Sequence, residues 1–401
     1  MTSLTRRSFA RYFLGAPGFL AIAETAQPSL RIEPGPEHLV APGVPWPYLF
    51  HAREATTVVL GHIGWPPGGK YPIHYTSRSF DGRKTWQEWK PGPEHGRGPI
   101  TEGSTVQLRD GRILLFDVHA EHVGGKRFEA SFWSSKDGFR TLQGPHKYSF
   151  ALPEAEVNSF DDRGEPISRM YVRRSVVELK SGDLLATAYG HFEQDKFASE
   201  YMPKMLKSRS FLLRSKDRGR TWMYVSTIAS GPVGQEGFGE PVMVQLRNGS
   251  HADRLICQMR TGRETPVYQC ESDDEGKTWT KAYPLQWMYS RFGRSRPIVG
   301  TDPDLIEMQD GTLVMAFGHK PDYQEHGNYL AFSVDHGHSW TEVVPISSTV
   351  TRAYCGVREV SAGELFVVYS TSDAKTAQDY SKATFNTMGR SVRVTRLSNA
   401  I

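Results

Sequence analysis

One pattern, Ser-x-Asp-x-Gly-x-Thr/Ser-Trp, recurs in this chain and limits its fold more than any other feature. It occurs in full at Ser215–Trp222, Ser272–Trp279 and Ser333–Trp340, and in degenerate form at Ser79–Trp86 and Ser135–Leu142. The spacing has a physical reason. Serine and aspartate oxygens accept hydrogen bonds from backbone N–H groups of the tight turn they open. Glycine supplies a left-handed φ that a Cβ would penalise. The tryptophan then re-enters a strand with its ring available to the core. These aspartates are therefore committed to turns and are not candidate catalysts.

A second repeat interleaves with the first: an apolar strand, a turn ending in glycine, and another apolar strand. Its copies are Val106–Leu115 around Gly111, Val177–Leu185 around Gly182, Val244–Ile256 around Gly249, Ile306–Met315 around Gly311, and Val357–Val368 around Gly363. Each reads as a hairpin. The third carries an extra Ser250-His251-Ala252-Asp253 in its turn. Hairpin, third strand, Asp turn and fourth strand make a four-stranded unit, with starts near residues 45, 100, 171, 238, 300 and 352. Such repetition predicts radial closure. The expected fold is all-β, a six-bladed β-propeller of four-stranded antiparallel blades forming one domain over 28–401. Ser29–Glu33 is expected to add the outer strand to the last blade, beside Ser391–Leu397.

These turns in a six-fold array resemble the sialidase (neuraminidase) superfamily, where they are called Asp-boxes or BNR repeats. The resemblance implies the propeller fold and a glycoside hydrolase activity.

In such a blade the first strand descends from the funnel face and the second returns to it. Residues nine before each turn glycine, and about eight after it, should then converge on the funnel mouth. The first set is Glu102, Arg173, Glu240, Asp302 and Tyr354. The second is His62, His119, His191 and His319, with Arg260 in the blade whose turn is longer. Strand ends are often polar simply because they meet solvent. Divergence among equivalent positions nevertheless fits a binding site better than a scaffold.

Two segments resemble sialidases residue by residue. Gly239–Gly249, ending in Gln258-Met259-Arg260, is similar to the segment carrying the family's Glu and one carboxylate-binding Arg. Tyr354, ahead of Gly363-Glu364-Leu365-Phe366, is similar to the nucleophilic Tyr segment. The resemblance implies that Glu240 is base to the Tyr354 hydroxyl, since a neutral phenol is a poor nucleophile near pH 7 without a partner. Three family parts are displaced. No Arg stands at Pro45-Trp46, Gly61–His74 holds no carboxylate, and Glu325-His326-Gly327 occupies the place of the third Arg. Arg173 or Arg352 would have to complete the arginine set, and His62 or His119 would serve as acid.

Thr5-Arg6-Arg7-Ser8-Phe9, the apolar Phe19–Ala23 and small residues near Ala26 predict a twin-arginine signal peptide over 1–27, removed on export to the periplasm or beyond. Net charge is only +4 and spread along the chain, which excludes a nucleic-acid footprint. No stretch approaches the ~20 apolar residues of a membrane helix. Three cysteines make no disulfide framework. Cys257 and Cys270 are expected to face each other across a hairpin near Gly262-Arg263, as buried thiols or as a bridge in an oxidising compartment, while Cys355 has no evident partner. The histidines fall on separate blades and no acidic loop has calcium-ligand spacing, so neither metal nor cofactor is expected. The function expected is hydrolysis of an acidic sugar in a carbohydrate or glycoconjugate by a Glu-activated Tyr. The alternatives are a polysaccharide lyase and a non-catalytic carbohydrate- or protein-binding propeller.

Overall fold

Runs such as Val58-Val59-Leu60 and Leu313–Phe317 are buried at every position, the pattern of strands covered on both faces. A computed structural model describes residues 29–62, 73–88, 102–289, 294–319, 327–347, 354–373 and 383–397. The expected signal segment 1–27 and Arg352 lie outside the described residues.

Strands β1 (Leu30–Pro34) and β2 (His38–Ala41) precede a sheet of β3 (Trp46–His51), β4 (Thr57–His62), β5 (His74–Ser79) and β6 (Gln87–Glu88). The second unit holds β7 (Thr105–Gln107), β8 (Ile113–Phe116), β9 (His119–Gly124), β10 (Arg127–Ser135) and β11 (Gln143–Ala151). A ribbon of β12 (Ser159–Phe160) and β13 (Pro166–Ile167) leads to the third unit, β14 (Arg169–Glu178), β15 (Leu184–Gly190), β16 (Arg209–Ser215) and β17 (Thr221–Ala229). The fourth is β18 (Gly239–Gln245), β19 (Leu255–Arg260), β20 (Tyr268–Ser272) and β21 (Tyr283–Pro284). After the ribbon β22 (Gln286–Tyr289) and β23 (Arg294–Pro297) comes a sheet of β24 (Thr301–Glu307), β25 (Leu313–His319), β26 (Gly327–Ser333) and β27 (Glu342–Pro345). The last sheet runs β28 (Cys355–Ser361), β29 (Glu364–Ser372), β30 (Phe385–Arg396) and then β1, with Leu30 opposite Arg396. The N-terminal strand thus completes the C-terminal sheet, as its sequence position predicts.

Core clusters fill the spaces between consecutive units. Phe50 and Leu60 meet Leu115 and Trp133. Phe116 and Phe128 meet Phe211 and Trp222. Leu185 and Leu212 meet Met243 and Cys257, and Ile256 meets Met315 and Trp340. Phe332 meets Val367, and Phe366 and Val368 return to Leu49 and Val59 of the first sheet. The arrangement is propeller-like. One departure from the expected units is β9. The hairpin β10–β11 outruns the four-residue β8, and β9 pairs the exposed upper part of β10 before joining β14. It thereby covers an edge and fuses two units into a nine-stranded sheet in which seven strands form a closed ring.

The repeated turns share one hydrogen-bond set. Ser215 Oγ donates to Asp217 Oδ1 at 2.8 Å and accepts the Gly219 N–H, while Asp217 accepts the Thr221 N–H and hydroxyl at 2.8 and 2.6 Å. The same bonds recur at Ser79, Ser135, Ser272 and Ser333. Two successive residues are left-handed in each. In the full copies glycine takes the second place, as at Gly276 (φ 80°), where a Cβ would stand 2.1 Å from Leu212 Cδ2. In the degenerate copies glycine takes the first place, and Arg83 (φ 73°) or Phe139 (φ 71°) the second, the Phe139 ring being fully buried near Phe50. Cys257 and Cys270 lie directly opposite each other as buried free thiols.

Candidate functional site

The first-strand positions converge, and the backbone explains how. Glu102, Arg174, Glu240 and Asp302 are left-handed, with φ of 38°, 65°, 45° and 52°. Pairing slips at three of these places, between Val172 and Val176, Gly239 and Val242, and Thr301 and Asp304. A bulge re-aims a side chain, and a non-glycine left-handed residue costs ~1–3 kcal/mol, a strain that collects at functional sites. The same strained device recurring in successive units sets a charged floor.

Arg173 stands at its centre. Its Nη1 lies 2.8 Å from Glu102 Oε2 and 3.4 Å from Glu240 Oε1. Its Nη2 donates to Tyr48 Oη at 3.1 Å and to Asp302 Oδ1. Asp302 also receives Arg174, whose Nη2 reaches the Cys355 carbonyl at 3.0 Å. Glu240 accepts from Arg260 Nη1 at 2.8 Å, from the Asp302 N–H at 3.1 Å and from Tyr354 Oη at 3.2 Å. Arg260 Nε lies 2.6 Å from Glu236. Below, Asp304 accepts from Arg358 at 2.7 Å and from the Val357 N–H at 2.9 Å. Arg173, Glu240 and Asp302 are buried, whereas Tyr354 keeps part of its surface accessible and meets the Tyr48 ring edge-on at 6.2 Å.

These contacts set the protonation states. Burial opposes ionisation of Glu240, but the Arg173 and Arg260 guanidiniums outweigh it and hold the carboxyl below its ordinary range. Glu102 behaves likewise, burial being overcome by Arg173 and His62. Burial first, and the Glu240 carboxylate second, push the Tyr354 phenol far up. The floor therefore presents an ionised carboxylate against a neutral phenol.

The histidines divide. His62 Nε2 lies 3.5 Å from Glu102 Oε1 and its ring stacks on Trp46 at 4.6 Å. His119 meets Tyr171 edge-on at 5.6 Å and adds to the field that lowers Glu102. His191 is bonded instead through Nδ1 to Ser159 Oγ at 2.6 Å, and burial pushes it down to about 4. His319 Nδ1 is engaged by the Val299 carbonyl at 2.5 Å. The second offset thus brings His62, His119 and Arg260 to the floor and ties His191 and His319 to neighbouring loops. Among the described residues no group of three metal-ligating side chains is arranged around a common point.

Sequence reasoning missed Tyr48, Arg174, Glu236, Asp304 and Arg358. Arg174 follows Arg173 directly, and Asp304 sits two residues after Asp302 on the same strand, so period-two reading from the marked positions would have found the second but not the first.

The ring of sheets and its inward floor define a propeller-like fold. The chain belongs to the BNR repeat-like domain family, whose model matches residues 73–323. Among solved structures it is similar to a Dyadobacter fermentans protein of unknown function, at 17% identity and a TM-score of 0.64, over 91% of this chain and 99% of that one. It is also similar to a Penicillium chrysogenum α-L-arabinanase complexed with arabinobiose, at 16% identity and TM-score 0.58, over 92% and 99%. A Hadza microbial sialidase, Hz136, follows at 13% identity and TM-score 0.56, over 86% and 65%. At these identities the likeness concerns the fold. No curated protein matches the chain in sequence.

Proposed function

We propose that this protein is an exported six-bladed propeller that hydrolyses glycosides through Tyr354 activated by Glu240. The observation that carries the reading is the 3.2 Å hydrogen bond from Tyr354 Oη to Glu240 Oε1, on a carboxylate that two guanidiniums keep ionised. In the first step the Tyr354 oxygen attacks the anomeric carbon as its proton passes to Glu240, and the bond to the leaving oxygen breaks. His62, lying against Glu102 and Trp46, protonates that leaving oxygen. Water then cleaves the tyrosyl intermediate, and the protons return by the reverse route. The same guanidiniums that keep Glu240 charged also weaken it as a base, so proton transfer must advance together with bond formation to the sugar. Arg173, Asp302 and Arg174 fix the position of this pair.

The six blades are the first five units, the second carrying β9 as an additional strand, and the sheet completed by β1, and the twin-arginine segment supplies export. The test is hydrolysis of a panel of aryl glycosides by the purified chain beside Tyr354→Phe and Glu240→Gln. Loss of release by ~10³-fold or more in both variants is the expected result. Release unaffected by Tyr354→Phe refutes the mechanism. A product absorbing through a new C=C bond would identify a lyase instead.

A further inference from the structure

Among the described residues, the arginines of the floor are already held by protein oxygens. The four terminal N–H groups of Arg173 face four protein oxygens, on Glu102, Glu240, Asp302 and Tyr48. Arg260 is shared between Glu236 and Glu240. Arg174 is held by Asp302 and the Cys355 carbonyl, and Arg358 by Asp304. Among the described residues the floor thus sets five carboxylates, Glu102, Glu236, Glu240, Asp302 and Asp304, against four guanidiniums. An anionic ligand would meet these carboxylates at close range and would have to compete with them for the guanidiniums they hold. In a low-dielectric site that repulsion is poorly screened.

A second observation concerns what a ligand would touch. Among the described residues, aromatic side chains with partly accessible surface lie against this floor: Trp46 on His62, Tyr354 on Glu240, and beside them Tyr171 and Tyr189. Tyr171 stacks on Tyr189 at 4.8 Å, and Tyr189 reaches the backbone beside Glu240 at Gly239. Aromatic faces with a few fixed polar groups at the base suit a ring of C–H and O–H groups. Carboxylates, unlike guanidiniums, accept hydrogen bonds from hydroxyls.

We infer that the substrate is a neutral glycoside, its hydroxyls received by Glu102 and its ring lying against the tyrosines, rather than the acidic sugar that the sialidase resemblance implies. This rests on the glycosidase reading above. It assigns Glu236 a specificity role: by occupying Arg260, this carboxylate denies that guanidinium to an anionic sugar.

The experiment compares 4-nitrophenyl α-L-arabinofuranoside and β-D-galactopyranoside with 4-nitrophenyl β-D-glucuronide and the sialoside, using the full mature chain. The expected result is a kcat/KM at least about 100-fold higher for the best neutral member than for either acidic one. Glu236→Gln, which removes one of the two carboxylates that hold Arg260, should narrow that ratio by about 10-fold. An acidic member as the best substrate overturns the inference while leaving the hydrolase reading intact. If no member of either class is cleaved, the hydrolase reading fails and calorimetry decides the ligand class separately. Binding of arabinan or galactan oligosaccharides in preference to oligogalacturonate supports a neutral ligand. Preference for oligogalacturonate, or binding of neither, overturns it.

Discussion

Replacing Arg173 by methionine tests the electrostatic account of the floor most directly. The substitution keeps the volume roughly constant and removes the guanidinium that Glu102, Glu240 and Asp302 share. Breaking a buried ion pair by removing one partner costs ~3–5 kcal/mol, because the other charge is left uncompensated. For a chain of 401 residues, an unfolding entropy of ~2.1 cal/mol/K per residue converts that loss into a Tm lower by about 4–6 °C. The loss should also depend on pH, and its sign is fixed. Carboxylates orphaned in the folded state have pKa values above the ~4 of the unfolded chain. A raised folded pKa favours the native state at low pH and is lost as pH rises through it. The Tm deficit of Arg173→Met should therefore be larger at pH 8 than at pH 5, by an amount equivalent to ~1.4 kcal/mol for each unit of upward shift. Arg173→Lys, which retains the charge, should recover part of the deficit. Thermal melts by circular dichroism across this range provide the measurement. A deficit independent of pH, or none at all, would refute the claim that this cation neutralises the floor.

Two further outcomes follow from packing and burial. Gly276→Ala should destabilise by ~2–4 kcal/mol in urea titrations, since φ of 80° and a methyl 2.1 Å from Leu212 Cδ2 act together. Gly311→Ala, with φ 85° but no atom nearer than 3.5 Å, should cost only ~1 kcal/mol. His191 titrates near 4 because of burial, below the ~6.5 of an unfolded histidine, so the unfolded state binds more protons between these values. Stability should fall as pH drops from ~6.5 to ~4, by ~1.4 kcal/mol per unit. His191→Gln should flatten that part of the Tm–pH curve; an unchanged slope would show that another group causes it.

The turn repeat and the first-strand positions were legible because both depend on backbone geometry that few residue types satisfy. A glycine-closed hairpin acts as a ruler, and counting nine back from it lands on Glu102, Arg173, Glu240, Asp302 and Tyr354. Tyr48 was invisible to that count because its hairpin turns at Ala55, with φ 62°, and contains no glycine. Arg174 was missed for a different reason. Strands alternate faces, so adjacent residues are expected to point apart, yet the bulge in β14 brings both Arg173 and Arg174 to Asp302. His191 and His319 occupy the same sequence offset as His62 and His119. The side chains and carbonyls of Ser159 and Val299, which tie them elsewhere, come from connecting segments whose paths carry no periodic signal.

The pairing of β1 with β30 has a consequence for the chain as it is made. Leu30 emerges from the ribosome long before Arg396, and at 5–20 residues per second the interval is roughly 20–70 s. Throughout that time the partnerless segment Leu30–Pro34 offers unpaired N–H and C=O groups to any neighbouring chain. Closure of so long a loop is also among the slowest contacts a polypeptide makes. Crowded synthesis should therefore favour strand exchange between copies, each lending its first strand to another's last sheet, and slower translation or dilution should favour the closed monomeric ring.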